Sequence, residues 1–330
     1  MKKFLAFLFV CLLIAGGVAF WGYSKFKELD LPKADKTEVV IYEVKPGATL
    51  RSLGEDLEKQ GLLRSAKVFE FWGRYLEVGH LIKAGHYELS ASMAPREMLG
   101  LIVAGRTATQ KLTFPEGLTL EQCAKIVHKH KIGTEQEFLK LTKHNGKKYG
   151  KIFPADMEGY FLPDTYTLPL SCDVPHLVST AAARFEELAL PYHTKESPLS
   201  LHDTIILASL VEREAQVPQE RPIIAGVYIN RLNDGMKLEC DATVQFALGK
   251  QKEYLLYKDL EIDSPYNTYK YAGLPVGPIC NPGLESIKAA CRPKKSDYYY
   301  YVRNDVKGDG SHVFGRNYSE HQQNIRKYQR

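Results

Sequence analysis

One glutamate, Glu214, stands where a helix would give it the properties of an acid catalyst. At 3.6 residues per turn, Leu207, Leu210 and Val211 lie one and two turns before Glu214 on the same helical face. Half-burial on such an apolar face disfavours the charged carboxylate and raises its pKa, as a general acid working near neutral pH requires. Glu212 lies on a different side of the helix. The alternative interpretation is that Glu214 only marks a frayed helix end.

Two loops rich in tyrosine have a composition that suits carbohydrate. Residues 159–166 include Tyr160 and Tyr166, and residues 266–269 include Tyr269. A tyrosine ring offers a flat apolar face to a sugar ring, while its hydroxyl can bond the polar edge of the sugar. Most of the 20 tyrosines are nevertheless expected in the core or in strands, the run 298–301 among them.

The composition is that of a globular protein, and it excludes several functional classes. The residues are 44% hydrophobic and 25% charged. The length of 330 residues predicts two domains, or one large and one small domain. A net charge of +5 is too small and too dispersed to indicate nucleic-acid binding. The six cysteines contain no Cys-x-x-Cys pair, so neither a metal site nor a disulfide framework is indicated.

The amino terminus predicts a membrane anchor. Residues 4–24 carry no charge and are about as long as the ~20 residues that a spanning helix needs, with Trp21 and Tyr23 as interface aromatics. Lys2 and Lys3 place the amino terminus on the cytoplasmic side, so the remainder is expected outside the cytoplasm, on the outer face of the cytoplasmic membrane. A cleaved signal peptide is the alternative, although no good cleavage site follows the apolar run.

A small unit is expected over residues 39–105, after an anchor at 1–25 and a linker at 26–38. Its pattern reads strand, helix, helix, strand, with strands at 39–44 and 85–89 and with Thr49 and Ser65 as caps of the two helices. This order resembles the LysM modules that bind peptidoglycan sugars. The alternative is a small α+β domain that only packs on its neighbour and acts as a spacer.

Residues 106–330 are expected to form the larger domain. Thr119 with Gln122 and Thr134 with Glu137 are capping patterns that open two helices, and Ser200 with Asp203 opens the helix that contains Glu214. Strands and helices mix without regular βαβ alternation, so the fold class is predicted to be α+β.

Six short motifs lie in residues 158–166, 208–214, 230–244, 266–269, 273–275 and 281–283. Their order and spacing resemble the endolytic murein transglycosylase (YceG-like) family over nearly the whole chain. In that family the second glutamate of a Glu-x-Glu motif is catalytic, and this position corresponds to Glu214. The chain departs from the family pattern at Glu239-Cys240, Ala242 and Val276, beside the expected cleft, which puts substrate preference in doubt but not the reaction.

The resemblance implies endolytic cleavage between N-acetylmuramic acid and N-acetylglucosamine in the nascent glycan strands of peptidoglycan, with no metal or organic cofactor. A lytic transglycosylase can work with one carboxylate, because the C6 hydroxyl of the substrate attacks C1 and closes a 1,6-anhydro ring. Glu214 is then the acid and afterwards the base. Four further polar residues are candidates to orient the sugar or to stabilise charge at C1, each with a competing role in a turn or cap: Asp164, Asn230, Asp241 and Asn267.

Two other functions remain open from the sequence. A membrane-tethered scaffold could bind peptidoglycan without turnover, and a hydrolase could cut the same bond with water. Cell-wall synthesis proteins are further expected partners of such a chain, and nucleic acid is not.

Overall fold

The computed structural model describes residues 2–35, 38–252 and 254–329. For residues 2, 3, 5 and 6 it describes the backbone but not the side chains. The protein is a mixed α+β structure with one apolar helix at its amino terminus, as predicted. Lys36 and Thr37 of the expected linker lie outside the described residues, as do the side chains of Lys2 and Lys3.

Helix α1 (Lys2–Leu29) begins the chain, and its stretch Phe7–Leu29 is long and apolar enough to cross a membrane. Within the described part of the chain it is the one helix with these properties. Length and composition of this kind are shared by membrane anchors and by signal sequences.

The chain forms two compact units, the first comprising Met1–Lys111 and Thr167–Ser171. After α1, its strands β1 (Val39–Val44) and β2 (Gly85–Ser90) pair antiparallel. Helices α2 (Leu50–Lys59) and α3 (Ala66–Tyr75) lie between the strands in the chain, and α4 (Pro95–Ala104) follows them. The order strand, helix, helix, strand is therefore observed, while the specific likeness to LysM stays a prediction.

Of the two helix caps predicted in the first unit, the structure contains one and lacks the other. Thr49 accepts a hydrogen bond from the Ser52 amide at 3.1 Å, as an N-cap does. The Ser65 side chain makes no cap hydrogen bond, which corrects the expectation for α3. The Ala66 amide instead donates to Glu58 at 2.9 Å, because a longer carboxylate from α2 reaches the start of α3.

The second unit comprises Leu112–Tyr166 and Cys172–Arg330. Its helices are α5 (Leu120–Lys129), α6 (Glu135–His144), α7 (Val174–Leu188), α8 (Leu201–Glu214), α9 (Arg221–Asn233), α10 (Asp241–Ala247), α11 (Tyr257–Leu260), α12 (Leu284–Cys291) and α13 (Tyr318–Tyr328). Within this unit β5 (Tyr300–Arg303) pairs antiparallel with β6 (His312–Gly315). Strand β3 (Thr109–Thr113) pairs with β4 (Thr165–Pro169), and each of these two strands has residues in both units. Tyr300 and Tyr301, from the run that the sequence places in the core or in strands, lie in β5.

Helix α8 is the central helix of the second unit and positions its candidate acid. Ser200 caps it by accepting from the Asp203 amide at 3.2 Å, as predicted. Every residue from Thr204 to Val211 is buried, and α8 packs on α9, α10 and α12. Burial on all sides fixes the helix firmly, so its carboxyl end delivers Glu214 to a defined place.

Candidate active site

Glu214 is the last residue of α8, and it faces a cleft of ≈ 650 Å³. Chain segments far apart in the sequence build the walls of this cleft. Asp241 comes from the first turn of α10, Tyr269 from the loop after α11, Tyr301 from β5 and His312 from β6. All of them belong to the second unit. The carboxylate that helical periodicity singled out thus stands in a cavity wide enough for a ligand.

Both carboxylate oxygens of Glu214 accept a hydrogen bond. The Cys240 thiol donates to Oε1 at 3.2 Å, and the Tyr301 hydroxyl donates to Oε2 at 3.2 Å. Burial raises the pKa of Glu214 above its ordinary value; the Cys240 bond opposes this rise, whereas the charge of Asp241 adds to it. The bond from Tyr301 and the charge of His312 also oppose it. The net upward direction favours the protonated form that a general acid needs.

The tyrosine beside Glu214 is held by a second tyrosine. The hydroxyls of Tyr228 and Tyr301 are 2.8 Å apart. Because the Tyr301 proton is directed to Glu214, Tyr228 is the donor in the bond between the two hydroxyls. Burial raises the pKa of both tyrosines well above the ordinary value, so both remain protonated donors. The two consecutive hydrogen bonds, from Tyr228 to Tyr301 and from Tyr301 to Glu214, fix the orientation of the Glu214 carboxylate.

Glu212 has a different task from Glu214. Its Oε2 accepts from the Gly283 amide at 3.0 Å and from the Ser286 hydroxyl at 2.7 Å. Gly283 is the N-cap of α12, so the Glu212 carboxylate accepts one backbone N–H at the start of that helix and one side-chain hydroxyl from its first turn. The two glutamates of the motif therefore divide into one that faces the cleft and one that ties α8 to α12.

Two of the polar residues expected at the substrate lie in the cleft with Glu214. Asp241 is exposed at the start of α10, and its Oδ1 accepts from the Tyr269 hydroxyl at 2.5 Å. The bond joins the walls formed by α10 and by the loop after α11. Contact of Asp241 and Tyr269 with a substrate stays a prediction, and their position beside Glu214 is compatible with it.

The two expected asparagines hold backbone segments in place. Asn230 donates to the carbonyls of Ser296 at 2.9 Å and Tyr298 at 2.8 Å, which fixes the segment leading into β5. Asn267 is fully buried and donates to the carbonyls of Leu260 and Ile262, both at 2.8 Å. Neither side chain is among those that line the cleft of Glu214.

The three expected residues of the 159–166 loop also lie outside the cleft lining. Tyr160 is buried, and its hydroxyl is 3.0 Å from Nδ1 of His202. Tyr166 is buried and donates to the Leu162 carbonyl at 2.5 Å. Asp164 is paired with Arg184 at 2.7 Å. Each of these side chains finds its partner within the protein.

The sequence interpretation missed Arg231, which is 7% exposed yet reaches the cleft. Its guanidinium donates to the Tyr299 carbonyl at 2.7 Å and to the Lys237 and Leu238 carbonyls at 3.0 and 3.1 Å. It thereby joins the segment before Cys240 to the segment before Tyr301, the two segments that supply the partners of Glu214. Tyr301 was missed as well, because it was assigned to a strand. The signal for Arg231 was its place in a motif beside Asn230.

The raised pKa of Glu214 predicts a pH-dependent cost to folding. In the unfolded chain the carboxyl ionises in the ordinary range of glutamate, whereas the folded protein resists ionisation, so folding loses stability as the pH rises through and above that range. We expect Glu214→Gln to melt at a higher temperature than the parent at about pH 8 and at a similar temperature at about pH 4.

Thermal unfolding followed by circular dichroism measures both temperatures. Glu212→Gln is the matched control and should melt lower than the parent at about pH 8, because its carboxylate serves two donors of α12. A Glu214→Gln protein that is less stable than the parent at about pH 8 would contradict the cost assigned to Glu214.

Most of the chain is similar to known proteins of one family. A profile of the YceG-like family matches residues 42–327. An endolytic murein transglycosylase of Bacillus subtilis is 33% identical over 96% of this chain and 91% of its own length. An endolytic murein transglycosylase of Streptococcus pneumoniae is 30% identical over 96% of this chain, which spans 63% of that longer protein. A crystal structure of a YceG-like protein from Listeria monocytogenes, 32% identical, superposes with a TM-score of 0.55 over 87% of this chain and 99% of that one.

Proposed function

The chain belongs to the YceG-like family, and on that premise we propose that it is a lytic transglycosylase that cleaves peptidoglycan glycan strands internally. The observation that carries the proposal is Glu214, a carboxyl group with a raised pKa in an open cleft, oriented by two donors. The substrate class follows from the activity for which the relatives are named.

The reaction requires one group that first gives a proton and then takes one. Protonated Glu214 transfers its proton to the glycosidic oxygen while the bond from C1 to that oxygen breaks, leaving a free 4-hydroxyl on N-acetylglucosamine. The C6 hydroxyl of N-acetylmuramic acid then bonds to C1, and its proton passes to the Glu214 carboxylate. A 1,6-anhydro ring forms, and Glu214 is again protonated for the next cycle.

Neighbouring groups support both halves of this cycle. The donors Cys240 and Tyr301 stabilise the carboxylate after it has released its proton, and the burial that raises the pKa favours its return. Asp241 contributes a second carboxylate to the same cleft, suited to stabilise positive charge at C1. We propose that Tyr269 contacts the sugar, since its hydroxyl also holds Asp241.

Asp241 also favours a second candidate function, hydrolysis of the same bond. Ordinary glycosidases use two carboxylates, one as acid and one as nucleophile or as base for water. The products separate the candidates: the purified full-length chain is incubated with glycan strands, and the fragments are analysed by mass spectrometry. We expect 1,6-anhydro ends; reducing ends would identify a hydrolase, and intact strands would leave a peptidoglycan-binding scaffold.

We further propose that α1 is retained as a single-pass anchor in the cytoplasmic membrane and places the cleft on its outer side, where nascent strands emerge. The expected result is that the cellular protein keeps its amino-terminal segment and sediments with membranes, because residues 4–24 form an uncharged run without a convincing cleavage site. Amino-terminal sequencing of the protein from fractionated cells measures this. A soluble protein that begins after residue 24 would refute the anchor.

A further inference from the structure

A second cavity of ≈ 570 Å³ lies in the same unit as the catalytic cleft. Its walls come from α5, from the end of α6, from the loop before Gly159 and from α10. None of the steps assigned to Glu214 uses it. It is therefore a place where this chain could hold another part of a ligand.

Three elements contribute to both cavities, so the two lie side by side. Arg213, next to Glu214 at the end of α8, lines both. Helix α10 presents Asp241 to the cleft and Phe246 to the second cavity. The loop 266–269 presents Tyr269 to the cleft and Tyr266 to the second cavity. The shared elements therefore place the second cavity next to the cleft in the second unit.

The lining of the second cavity suits a sugar ring. The rings of Phe246 and Tyr266 have their centroids 4.7 Å apart, and both side chains are only half-buried. Their free apolar faces can stack on a pyranose ring. Gln122 and Gln245 also line the cavity and supply amide groups for hydroxyl and acetamido substituents.

The charges of the second cavity favour a ligand that carries a carboxylate. Among the described residues three carboxyl side chains line it, and burial raises the pKa of one of them, Glu158, to about 8, which favours its uncharged form. Another, Glu121, is paired with Lys143. Among the described lining residues the cations outnumber the carboxyl groups, and they are Lys125, Lys143, Arg213 and Lys250.

We propose that this second cavity binds a muramyl residue of the same glycan strand, away from the bond that is cut, by stacking on Phe246 and by attraction between the cationic side chains and the carboxylate of its lactyl or peptide substituent. The inference rests on the proposed function, because it names a further contact of the strand that Glu214 cleaves. It explains how a strand longer than the cleft can be held.

The experiment compares binding of long and short strands by the full-length chain carrying Glu214→Gln, in which cleavage is blocked. Isothermal titration calorimetry is used with peptide-free muramyl strands of two lengths, the shorter filling only the cleft. We expect Phe246→Ala in this background to weaken binding of the long strands about tenfold and to leave binding of the short ones unchanged. Circular dichroism checks that each variant folds.

A matched pair of charge variants tests the carboxylate. Lys125 lines the cavity, whereas Lys129, one turn later on α5, is exposed outside its lining. We expect Lys125→Gln to weaken binding of long muramyl strands but not of neutral N-acetylglucosamine oligomers, and Lys129→Gln to change neither. If Phe246→Ala fails to fold, this pair decides the question.

Two results would overturn the proposal: long-strand affinity that Phe246→Ala leaves intact, or identical behaviour of Lys125→Gln and Lys129→Gln. Failure of the proposed function has a different signature, because the chain with Glu214 intact would then release no anhydro ends. Anhydro ends together with unaltered length dependence would refute only the role of the second cavity.

Discussion

Replacing Glu214 by Gln is expected to lower the rate of glycan cleavage by about 10²- to 10⁴-fold, the range that a general acid and base contributes. The amide keeps the shape of the side chain but has no transferable proton for the glycosidic oxygen and cannot accept the proton of the C6 hydroxyl. Release of anhydro-ended fragments, followed by liquid chromatography and mass spectrometry, measures the rate. Since the cost of burying the carboxylate also disappears, the fold should persist.

The same substitution two residues earlier is the natural control. Glu212→Gln makes the same chemical change on the same helix, but Glu212 serves the start of α12 and does not line the cleft. We expect it to retain most of the activity and to lower the free energy of unfolding by about 1 kcal/mol. The role assigned to Glu214 fails if Glu214→Gln keeps parental rates, or if the two variants lose activity to the same extent.

Helical periodicity placed Glu214 on the apolar face of its helix, because this information is local. Leu207, Leu210 and Val211 lie within two turns of it, and the structure buries all three. The hydrogen-bond partners of the carboxylate could not be predicted from the sequence, because Cys240 and Tyr301 are 26 and 87 residues further along the chain. Their approach depends on the packing of α10 and β5 around α8, which local patterns do not encode.

Residue type alone could not separate residues that line the cleft from residues held inside the fold. Tyr160 and Tyr269 both stand in tyrosine-rich loops, yet one is buried against His202 and the other reaches the cleft. Asn230 and Asn267 have the polar groups that a sugar needs, and the same groups satisfy backbone carbonyls of the protein.

The order of strands and helices in the first unit was predictable, since it follows from alternation, periodicity and turn residues.

The second large effect is expected at Arg231. Replacing it by Leu should lower the free energy of unfolding by about 2 to 4 kcal/mol, because three backbone carbonyls lose the donor that satisfies them in a buried place. One of the segments it holds contains Glu239, whose backbone has a φ of 52°, a conformation that costs energy for a residue with a side chain. Urea unfolding followed by circular dichroism measures the loss.

Activity should fall together with stability in Arg231→Leu, even where the variant is still folded, since Cys240 and Tyr301 then no longer orient Glu214. Arg184→Leu is the control: Arg184 bonds Asp164 at 2.7 Å and Glu187 at 3.2 Å on the surface, so its loss should cost no more than about 1 kcal/mol. Folded Arg231→Leu protein with parental cleavage rates would show that Glu214 keeps its orientation without the arginine. The difference between the two arginines, both bonded to several oxygens, comes from burial: water replaces the partners of Arg184 and cannot easily reach those of Arg231.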